Sequence, residues 1–461
     1  MTLHPQFIRE IEESFDGYEA KQLLQAITDT EAITSIRVNT SKTALRPAAS
    51  CTQVPWCAQG YYLPRHEQFT FDPLLHSGLY YVQDASSMII SHIINKLVTR
   101  PVKYLDLCAA PGGKSTAARA ALPEGSLLVC NEVVPQRANI LKENIIKWGN
   151  PDCIVASSDS SRWGQMTHFF DVVAADVPCS GEGMFRKDST AVEQWTPELV
   201  EQCAERQRLI IDNVWDAITP GGLLIYSTCT FNRAENEAMI EYIIDRYGAT
   251  PVPLDMPDEW GVSHGIDGQQ WCYRFLPHRV KGEGLFVCVL QKPDEKRQTA
   301  TPSAMRRRQP ATKVPQAAAQ WLTGDYNYSL NGDTLTAIRA TIATDADYVA
   351  RCANVLLHGV ELGSMKGRDI VPAQSLALTT AANRGAFAHA DVDYATAIAY
   401  LRGDAITLGD VPRGTVLVEY QGAPLGFAKQ VGNRANNLYP RQWRIRSTYA
   451  PTTPPCILCQ Q

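Results

Sequence analysis

The 461-residue sequence lacks several features that would place it in a specialised class of protein. It has no apolar run long enough to cross a bilayer, and residues 1–15 carry charges where a signal peptide would be apolar. Its 13 cysteines are unevenly spaced, which does not indicate a disulfide framework. These absences argue against a membrane protein or a disulfide-stabilised secreted protein and favour a reducing cytoplasmic location.

A large excess of charge of one sign is also absent. The formal net charge is −5, which argues against a protein that coats nucleic acid indiscriminately, although local patches matter more than the sum. No acidic residue follows Tyr420, and this tail contains the basic residues Lys429, Arg434, Arg441, Arg444 and Arg446. Tyr439 and Trp443 lie among them, and such interleaving suits phosphate contacts and base stacking by RNA. An ordinary solvated surface is the alternative.

The length and the patterning predict several domains. Residues 1–95 combine helical periodicity with a strand-like SIRVNT segment and are expected to form a small α/β N-terminal region. Residues 96–292 alternate strand, glycine-rich turn and helix, which predicts a mainly parallel, doubly wound sheet. Residues 293–317 have the composition of a linker, and residues 318–461 are expected to form a separate β-rich domain.

The segment LDLCAAPGGKST, residues 105–116, follows the first strand of that predicted sheet. Ligands bind at the carboxyl ends of such strands, and Gly112 and Gly113 permit close approach of the backbone. The G-x-G-x-x-G of a dehydrogenase is absent. The G-K-S that begins at Gly113 matches only the end of a P-loop, whose first glycine would fall at Cys108, so a P-loop NTPase is disfavoured.

Acidic residues end the next three predicted strands, at Glu132, Asp159 and Asp176. S-adenosylmethionine is cationic at sulfur and carries an ammonium group, so a crevice lined by carboxylates suits it. Glu132 lies about 20 residues beyond the glycines, where an acid can accept the ribose hydroxyls. Any one of these acids could be a helix cap or a turn residue, but the three together predict an S-adenosylmethionine site.

Two cysteines are predicted at the same edge of the sheet. Cys179 follows the strand that ends in Asp176, and Cys229 follows a later strand and is expected to precede a helix, whose dipole would favour the thiolate. Most other cysteines, such as Cys130 and Cys288 inside strands, are expected to be inert and buried.

A methyltransferase has a use for such thiols. Carbon 5 of cytosine is a poor nucleophile, and addition of a thiolate to carbon 6 places nucleophilic density on it. An acid near the ring nitrogen helps the addition, and Asp176 is placed to be that group. A base must then remove the carbon 5 proton before the thiolate can leave, and a second cysteine near the first could assist.

The segments CAAPGGKST, ADVPCSGEGMFRK and YSTCTFNRAENE resemble the signature motifs of the Sun/Fmu/nucleolar-protein family of RNA 5-methylcytosine methyltransferases. HGVELGSMKGRDIVPAQSLAL and YPRQWRIRS resemble the bacterial small-subunit ribosomal RNA methyltransferase F branch, which ends in a PUA-like RNA-binding domain. The resemblance implies a Rossmann-like methyltransferase core between a small α/β N-terminal region that contacts RNA and a β-rich, PUA-like C-terminal domain.

The resemblance also implies roles for particular residues. Cys229 would be the nucleophile, Cys179 would assist product release, and Asp176 would contact the methionine end of the cofactor or the base. Glu132 would hold the ribose, and Asp159 would lie by the adenine. The cofactor loop would consist of Cys108, Ala109, Ala110, Pro111, Gly112, Gly113 and Lys114. DNA cytosine methyltransferases use a proline-cysteine motif for the nucleophile, so the swapped assignment of the two cysteines stays open.

The implied substrate is an extruded or single-stranded cytidine of 16S ribosomal RNA, with the small ribosomal subunit as partner. The chain is expected to be a cytoplasmic monomer. The alternatives are a tRNA cytosine-5 methyltransferase and a non-catalytic RNA-binding ribosome assembly factor. No metal is expected: Cys456 and Cys459 form a C-x-x-C without a second pair, which favours a frayed terminus over a zinc site.

Overall fold

The structure is a computed structural model that describes residues 2–294, 315–367, 369–447, 449 and 451–459. The predicted linker, residues 293–317, falls for the most part outside the described residues. None of the described helices combines the length and the apolar composition that crossing a membrane requires.

The N-terminal region places two helices beside a small antiparallel sheet. Its elements are α1 (Pro5–Ser14), α2 (Gly17–Asp29), β1 (Ser35–Val38), β2 (Arg46–Pro47), β3 (Thr52–Val54), β4 (Cys57–Tyr62), α3 (Pro73–His76), β5 (Tyr80–Val82) and α4 (Ile89–Leu97). The sheet has the order β3-β4-β1-β5. Asp16 begins α2 because its side chain accepts hydrogen bonds from the amides of Tyr18 and Glu19. The region therefore has the mixed α/β character that its sequence predicts.

The central region alternates strands and helices. Its elements are β6 (Lys103–Asp106), α5 (Gly113–Ala121), β7 (Leu127–Asn131), α6 (Pro135–Trp148), β8 (Cys153–Ala156), α7 (Ser160–Gly164), β9 (Phe170–Asp176), α8 (Ser189–Gln194), α9 (Pro197–Val214), β10 (Ile218–Thr228), α10 (Glu237–Tyr247), β11 (Thr250–Pro251), β12 (Ser263–His264), β13 (Cys272–Phe275) and β14 (Leu285–Gln291). Cys130 and Cys288 are buried inside β7 and β14, as predicted.

The central sheet brings the chemistry-bearing loops to one edge. Strands β6 to β10 pair in parallel in the order β10-β9-β6-β7-β8, and β14 and then β13 and β12 continue the sheet antiparallel beyond β10. Most residues of the parallel strands are buried and apolar, because helices cover both faces. In the register of β9 and β10, Asp176 lies opposite Ser227, so the loops that follow these two strands meet. The Rossmann-like architecture expected from the sequence is confirmed.

The C-terminal region is rich in β structure, as expected. Its elements are α11 (Gln316–Ala319), β15 (Tyr326–Asn331), β16 (Thr334–Arg339), α12 (Ala343–Cys352), β17 (Val355–His358), β18 (Val360–Lys366), β19 (Asp369–Pro372), α13 (Gln374–Leu378), β20 (Ala388–Asp391), α14 (Tyr394–Arg402), β21 (Gly414–Tyr420), β22 (Ala423–Val431), β23 (Arg434–Asn437) and β24 (Leu458–Cys459). Two sheets form, with the orders β15-β16-β18-β19 and β20-β21-β22-β23.

Two strands of the C-terminal region pair with other parts of the chain. Strand β17 pairs antiparallel with β8 and extends the central sheet, with Val355 opposite Ala156. Strand β24 pairs with β2, with Leu458 opposite Pro47. The expected frayed terminus is therefore wrong for residues 458–459, because backbone hydrogen bonds hold them to the N-terminal region. The domain boundaries given above stay a prediction.

Candidate active site

The loop between β6 and α5 has the shape of a backbone cradle. The backbone of Gly112, at φ +113°, adopts a conformation that favours glycine, and α5 begins at the next residue. The Ala110–Pro111 peptide bond is cis. The Ala109 amide donates to the carbonyl of Asn131 at the end of β7, 2.8 Å away. The loop thus presents the N-terminus of α5 at the carboxyl edge of the sheet.

Side chains from outside the loop hold its carbonyl groups. The Pro111 carbonyl accepts hydrogen bonds from Asn144 Nδ2 at 2.8 Å and from the Tyr81 hydroxyl at 3.3 Å. The Ala110 carbonyl accepts from Arg137 Nη2 at 3.0 Å. Because Tyr81 belongs to β5 and the other two donors to α6, the N-terminal region and α6 together fix the position of the loop.

Arg37 of β1 attaches the N-terminal region to α5. Its side chain is buried, donates from Nη2 to Thr116 Oγ1 at 2.6 Å, and donates from Nε to Gln83 Oε1 at 2.9 Å. The guanidinium also lies over the Trp148 ring, 4.3 Å from its centroid. Burial lowers the pKa of Arg37 to about 10, which still leaves it charged at neutral pH. This contact lay beyond sequence reasoning, because 79 residues separate Arg37 from its partner in α5.

Lys114 and Asp176 form an ion pair at the centre of the edge. Lys114 Nζ donates to Asp176 Oδ2 at 2.8 Å, and Ser227 Oγ donates to Asp176 Oδ1 at 2.8 Å. Burial lowers the pKa of Lys114, but the Asp176 carboxylate together with Cys229 and Asp106 raises it, and the net shift is upward. The lysine is thus paired with a carboxylate, unlike the lysine of a P-loop, which reaches for phosphate. Asp176 in turn is fixed between α5 and β10.

The charges of three carboxyl groups act on the thiol of Cys108. Burial and then the charges of Asp106, Asp176 and Glu132 raise the pKa of this thiol far above its usual range. Asp106 is itself buried at the end of β6 and accepts from Ser115 Oγ at 2.6 Å. Burial raises the pKa of Asp106 to about 7. Sequence reasoning missed Asp106, although a carboxylate at the end of the first strand was the available signal.

Two further residues that are predicted to bind the cofactor, Glu132 and Asp159, lie beyond the ends of β7 and β8. Glu132 is buried one residue beyond β7, where Oε1 accepts from the Val134 amide at 3.0 Å and Oε2 lies 3.5 Å from Arg137 Nη1. Asp159 is exposed and lies three residues beyond β8, where it caps α7 through a hydrogen bond from the Ser161 amide at 3.0 Å. The predicted contacts of Glu132 with ribose and Asp159 with adenine stay predictions.

The two predicted catalytic cysteines lie in contact. Cys179 is in the loop after β9, Cys229 directly follows β10, and their sulfur atoms are 3.4 Å apart. Both residues are partly exposed. The contact with the Cys229 sulfur, and then burial, raises the pKa of Cys179 well above its usual range. Cys179 therefore stays protonated, and its S–H can donate to the sulfur of Cys229.

The expectation that Cys229 immediately precedes a helix is wrong. Helix α10 begins at Glu237, and side-chain hydrogen bonds instead shape residues 229–236 as a loop. Asn236 Oδ1 accepts from Thr228 Oγ1 at 2.6 Å, and Asn236 Nδ2 donates to the Thr230 carbonyl at 3.0 Å. The structure instead brings a positive charge, the Lys114 ammonium, near Cys229, since the electrostatic interaction with Cys229 is one of the causes that raise the pKa of Lys114.

A buried carboxylate, Glu182, ties the two cysteine loops together. It is 1% exposed and belongs to the loop that contains Cys179. Its Oε2 accepts from the amides of Phe231 and Asn232 at 2.6 and 3.1 Å, and its Oε1 accepts from Trp195 Nε1 at 3.0 Å. Sequence reasoning did not assign Glu182 a role, since the contacts span about 50 residues of chain.

The expected base-stacking role of Tyr439 is wrong. Its ring is 2% exposed, and its hydroxyl lies 3.4 Å from His76 Nδ1 of the N-terminal region. Trp443 is partly buried, with Lys147 Nζ 5.4 Å from its ring centroid. The rings of Tyr439 and Trp443 thus pack against other parts of the protein, because they fill the space between the C-terminal region and its neighbours.

The described residues contain no cluster of three His, Cys, Asp or Glu side chains that could hold a metal ion. The sulfur atoms of Cys456 and Cys459 lie 2.7 Å apart.

Three family models match consecutive parts of the chain. Residues 99–291 match the model of the 16S rRNA methyltransferase RsmB/F. Residues 3–85 match the N-terminal domain of 16S rRNA methyltransferase RsmF, and residues 387–445 match the methyltransferase RsmF PUA domain.

Curated relatives match almost the whole chain. A protein of Klebsiella pneumoniae (strain 342) named ribosomal RNA small subunit methyltransferase F is 30% identical over 435 residues, which cover 88% of this chain and 89% of that protein. A protein with the same name from Shewanella sp. (strain W3-18-1) is 28% identical over 95% of this chain and 96% of its own length.

Solved structures share the fold. A methyltransferase homolog protein from Pyrococcus horikoshii is 22% identical, with a TM-score of 0.52 over 63% of this chain and 100% of that chain. NSun6 from the same organism, crystallised with SFG, is 18% identical, with a TM-score of 0.53 over 63% of this chain and 99% of that chain.

Proposed function

Because the chain belongs to the ribosomal RNA small subunit methyltransferase F family, we propose that it transfers a methyl group from S-adenosylmethionine to carbon 5 of a cytidine in 16S ribosomal RNA. The observation that carries this proposal is the pair of sulfur atoms, 3.4 Å apart, at the ends of two adjacent parallel strands. A non-catalytic assembly factor would have no need of two such thiols beside an ion pair.

The acid-lined edge of the sheet suits the cofactor. The loop from Cys108 to Lys114 and the end of α5 would hold it, with Glu132 at the ribose and Asp159 by the adenine. Asp176 supplies negative charge for the sulfonium and ammonium groups, and a bound cation would favour the ionised form of Asp106, whose pKa burial raises to about 7. S-adenosylmethionine supplies an electrophilic methyl group, and the side chains of this protein orient and activate the base that receives it.

Cys229 is the nucleophile in this proposal. The Lys114 ammonium interacts electrostatically with Cys229, and a nearby positive charge stabilises the negative charge of a sulfur that adds to carbon 6 of cytosine. The protonated Cys179 is poorly suited to that role and well suited to donate its S–H, which argues against the swapped assignment. Asp176 would lie by the ring nitrogen of the base, and the Lys114 ammonium that donates to Asp176 would supply the proton that this nitrogen takes up as the sulfur adds.

Ribosomal RNA, free or within the small ribosomal subunit, is the partner in this proposal. The PUA domain, at residues 387–445, and the N-terminal region would bind the RNA. The target cytidine must leave its base stack, since a thiolate can attack carbon 6 only when the ring face is open. We propose that the protein acts in the cytoplasm as a monomer.

The test is transfer of a labelled methyl group to 16S ribosomal RNA. We expect Cys229→Ser to abolish transfer, because serine is far less nucleophilic than a thiolate. We expect Cys179→Ser to accumulate a covalent protein–RNA adduct on a denaturing gel. Cys352→Ser, which changes a thiol in the C-terminal region, is the matched control and should retain activity.

The opposite pattern, with the adduct accumulating in Cys229→Ser, would exchange the roles of the two cysteines. Label on adenine, or only on DNA, would reject the proposed substrate class. Label on transfer RNA instead of 16S ribosomal RNA would keep the chemistry and change the substrate.

A further inference from the structure

The side chain of Glu235 is a second buried carboxylate near the cysteine pair, and it accepts three hydrogen bonds. Its Oε2 accepts from the Ser180 amide at 3.0 Å and from Gln207 Nε2 at 2.7 Å, and its Oε1 accepts from Asn232 Nδ2 at 2.8 Å. All three partners are donors. The ionised carboxylate can satisfy them all, whereas a protonated carboxyl or an amide must turn a donor towards one of them.

Two of these hydrogen bonds hold the residues on either side of Cys179. Ser180 follows Cys179 and donates its amide directly to Glu235. Gln207 donates the same side-chain nitrogen to the carbonyl of Pro178, which precedes Cys179, at 3.0 Å. The backbone of Cys179 is therefore fixed from both sides through one carboxylate.

The same network reaches the loop of Cys229. Ser180 Oγ lies 2.8 Å from Thr230 Oγ1, and Asn232 Nδ2 also donates to Thr230 Oγ1 at 3.0 Å. Since Thr230 directly follows Cys229, the network around Glu235 sets the separation of the two sulfur atoms.

Building on the function proposed above, we propose that Glu235 is a positioning residue for release of the methylated RNA, because it holds the Cys179 thiol against the Cys229 sulfur. During release the carbon 5–hydrogen bond breaks and its proton passes to water, while its electron pair forms the carbon 5–carbon 6 double bond. The bond between carbon 6 and sulfur breaks, and the Cys229 sulfur keeps that pair and takes the proton of Cys179. The Cys179 thiolate then recovers a proton from the hydronium ion.

The charge state of Glu235 gives this role a pH signature. Burial, and then the charge of Glu182, raise its pKa to about 7. The other titratable groups that face it are Cys179, Cys203 of α9 and Tyr226 of β10, each of which has its own pKa raised by Glu235. Below about pH 7 Glu235 takes up a proton, and the protonated carboxyl can no longer accept hydrogen bonds from all three donors. Release of the methylated RNA should therefore become faster as the pH rises through 7.

The experiment is a single-turnover reaction of the full-length protein with 16S ribosomal RNA and labelled S-adenosylmethionine. The decay of the covalent adduct is followed on denaturing gels from about pH 6 to about pH 8. We expect Glu235→Gln to accumulate the adduct, to slow its decay by about 100-fold through misplacement of Cys179, and to lose the rise in rate through pH 7. A merely structural defect would lower the amount of active protein and leave the pH profile unchanged.

Two further variants keep the outcome decisive. Gln207→Met cuts the bridge to Pro178 but keeps the carboxylate, and it should slow adduct decay by about 10-fold even where Glu235→Gln fails to fold. Glu241→Gln changes a half-exposed carboxylate of α10 that pairs with Arg233, and its adduct should decay as in the unaltered protein.

If Cys179→Ser accumulates adduct while Glu235→Gln and Gln207→Met release RNA at the normal rate and pH dependence, the role of Glu235 is refuted and the proposed function stands. If Cys179→Ser yields no adduct and the unaltered protein transfers no methyl group, the proposed function itself is refuted.

Discussion

The cofactor loop and the cysteine loops lie at the same edge of the sheet but are held in place in different ways. In the cofactor loop, a glycine with positive φ and the start of α5 set the shape, and most of the fixing contacts are made to backbone carbonyls. In the cysteine loops, two buried carboxylates, Glu182 and Glu235, accept hydrogen bonds from both chain segments. The contacts in the first arrangement join residues about 30 apart in the sequence, whereas those in the second join residues about 50 apart.

This difference determines how each loop should respond to substitution. A change in the cofactor loop should alter binding of the cofactor while the fold persists, since each carbonyl there has its own donor. A change at either carboxylate should leave several buried donors without partners at once, because the donors converge on one group.

The largest expected effect is on folding, from Glu182→Ala. The substitution leaves the amides of Phe231 and Asn232 and the indole N–H of Trp195 without their acceptor inside the protein. We expect the free energy of unfolding to fall by about 3 kcal/mol or more, since each unpaired buried donor costs about 1–3 kcal/mol. Chemical denaturation followed by tryptophan fluorescence measures it.

Glu193→Ala is the matched control, because Glu193 is an exposed carboxylate on α8. Its effect should stay within about 0.5 kcal/mol. If the two variants were equally stable, Glu182 would not be the residue that holds the cysteine loops together. The proposed difference between the cofactor loop and the cysteine loops would then be wrong.

A smaller effect, on binding, is expected from Gly112→Ala. The backbone of Gly112 is at φ +113°, and an added Cβ would meet Leu141 Cδ1 at 3.3 Å. The strain of about 1–2 kcal/mol should weaken S-adenosylmethionine binding by about 10-fold in calorimetry. At saturating cofactor, the cysteine chemistry should proceed normally.

Gly125→Ala provides the comparison, since Gly125 also has a positive φ, of +82°, but lies in the turn before β7 with only Pro101 nearby. It should reduce stability without changing cofactor affinity. If both variants weaken cofactor binding equally, the loss reflects general strain, and the cofactor loop has no special role.

The same contrast explains how much of the fold the sequence could predict. The alternation of strand and helix predicts the parallel sheet, because periodicity and turn residues are local features. Pairing of β17 with β8 was not predicted, since nothing within residues 355–358 distinguishes a strand of the central sheet from one of a separate domain. The helix expected directly after Cys229 begins eight residues later, because side chains of the intervening loop take the hydrogen bonds that a helix would use.

In the candidate site, the functional residues that can be predicted from the sequence are those at the end of a strand or next to a glycine. Asp176, Cys179 and Cys229 follow from their places in the strand pattern, and the register of β9 and β10 brings them together. Glu182 and Glu235 did not follow, although both lie within the segments that resemble family motifs. A carboxylate in a loop could equally face solvent, and only tertiary contacts show that it is buried.

The smallest expected effect comes from variants of Asp159. They test whether this residue acts only as the cap of α7 or also binds the cofactor. Hydrogen bonds from the Ser161 side chain and amide lower the pKa of Asp159, so it is ionised at neutral pH while it caps α7. Asp159→Ala should cost about 1 kcal/mol of stability through loss of the cap, and Asp159→Asn should keep the cap. If Asp159 also contacts the adenine, both variants should weaken S-adenosylmethionine binding in calorimetry, the alanine variant more. Loss of stability in Asp159→Ala with unchanged affinity in both would leave Asp159 as a helix cap alone, and the predicted adenine contact would be wrong.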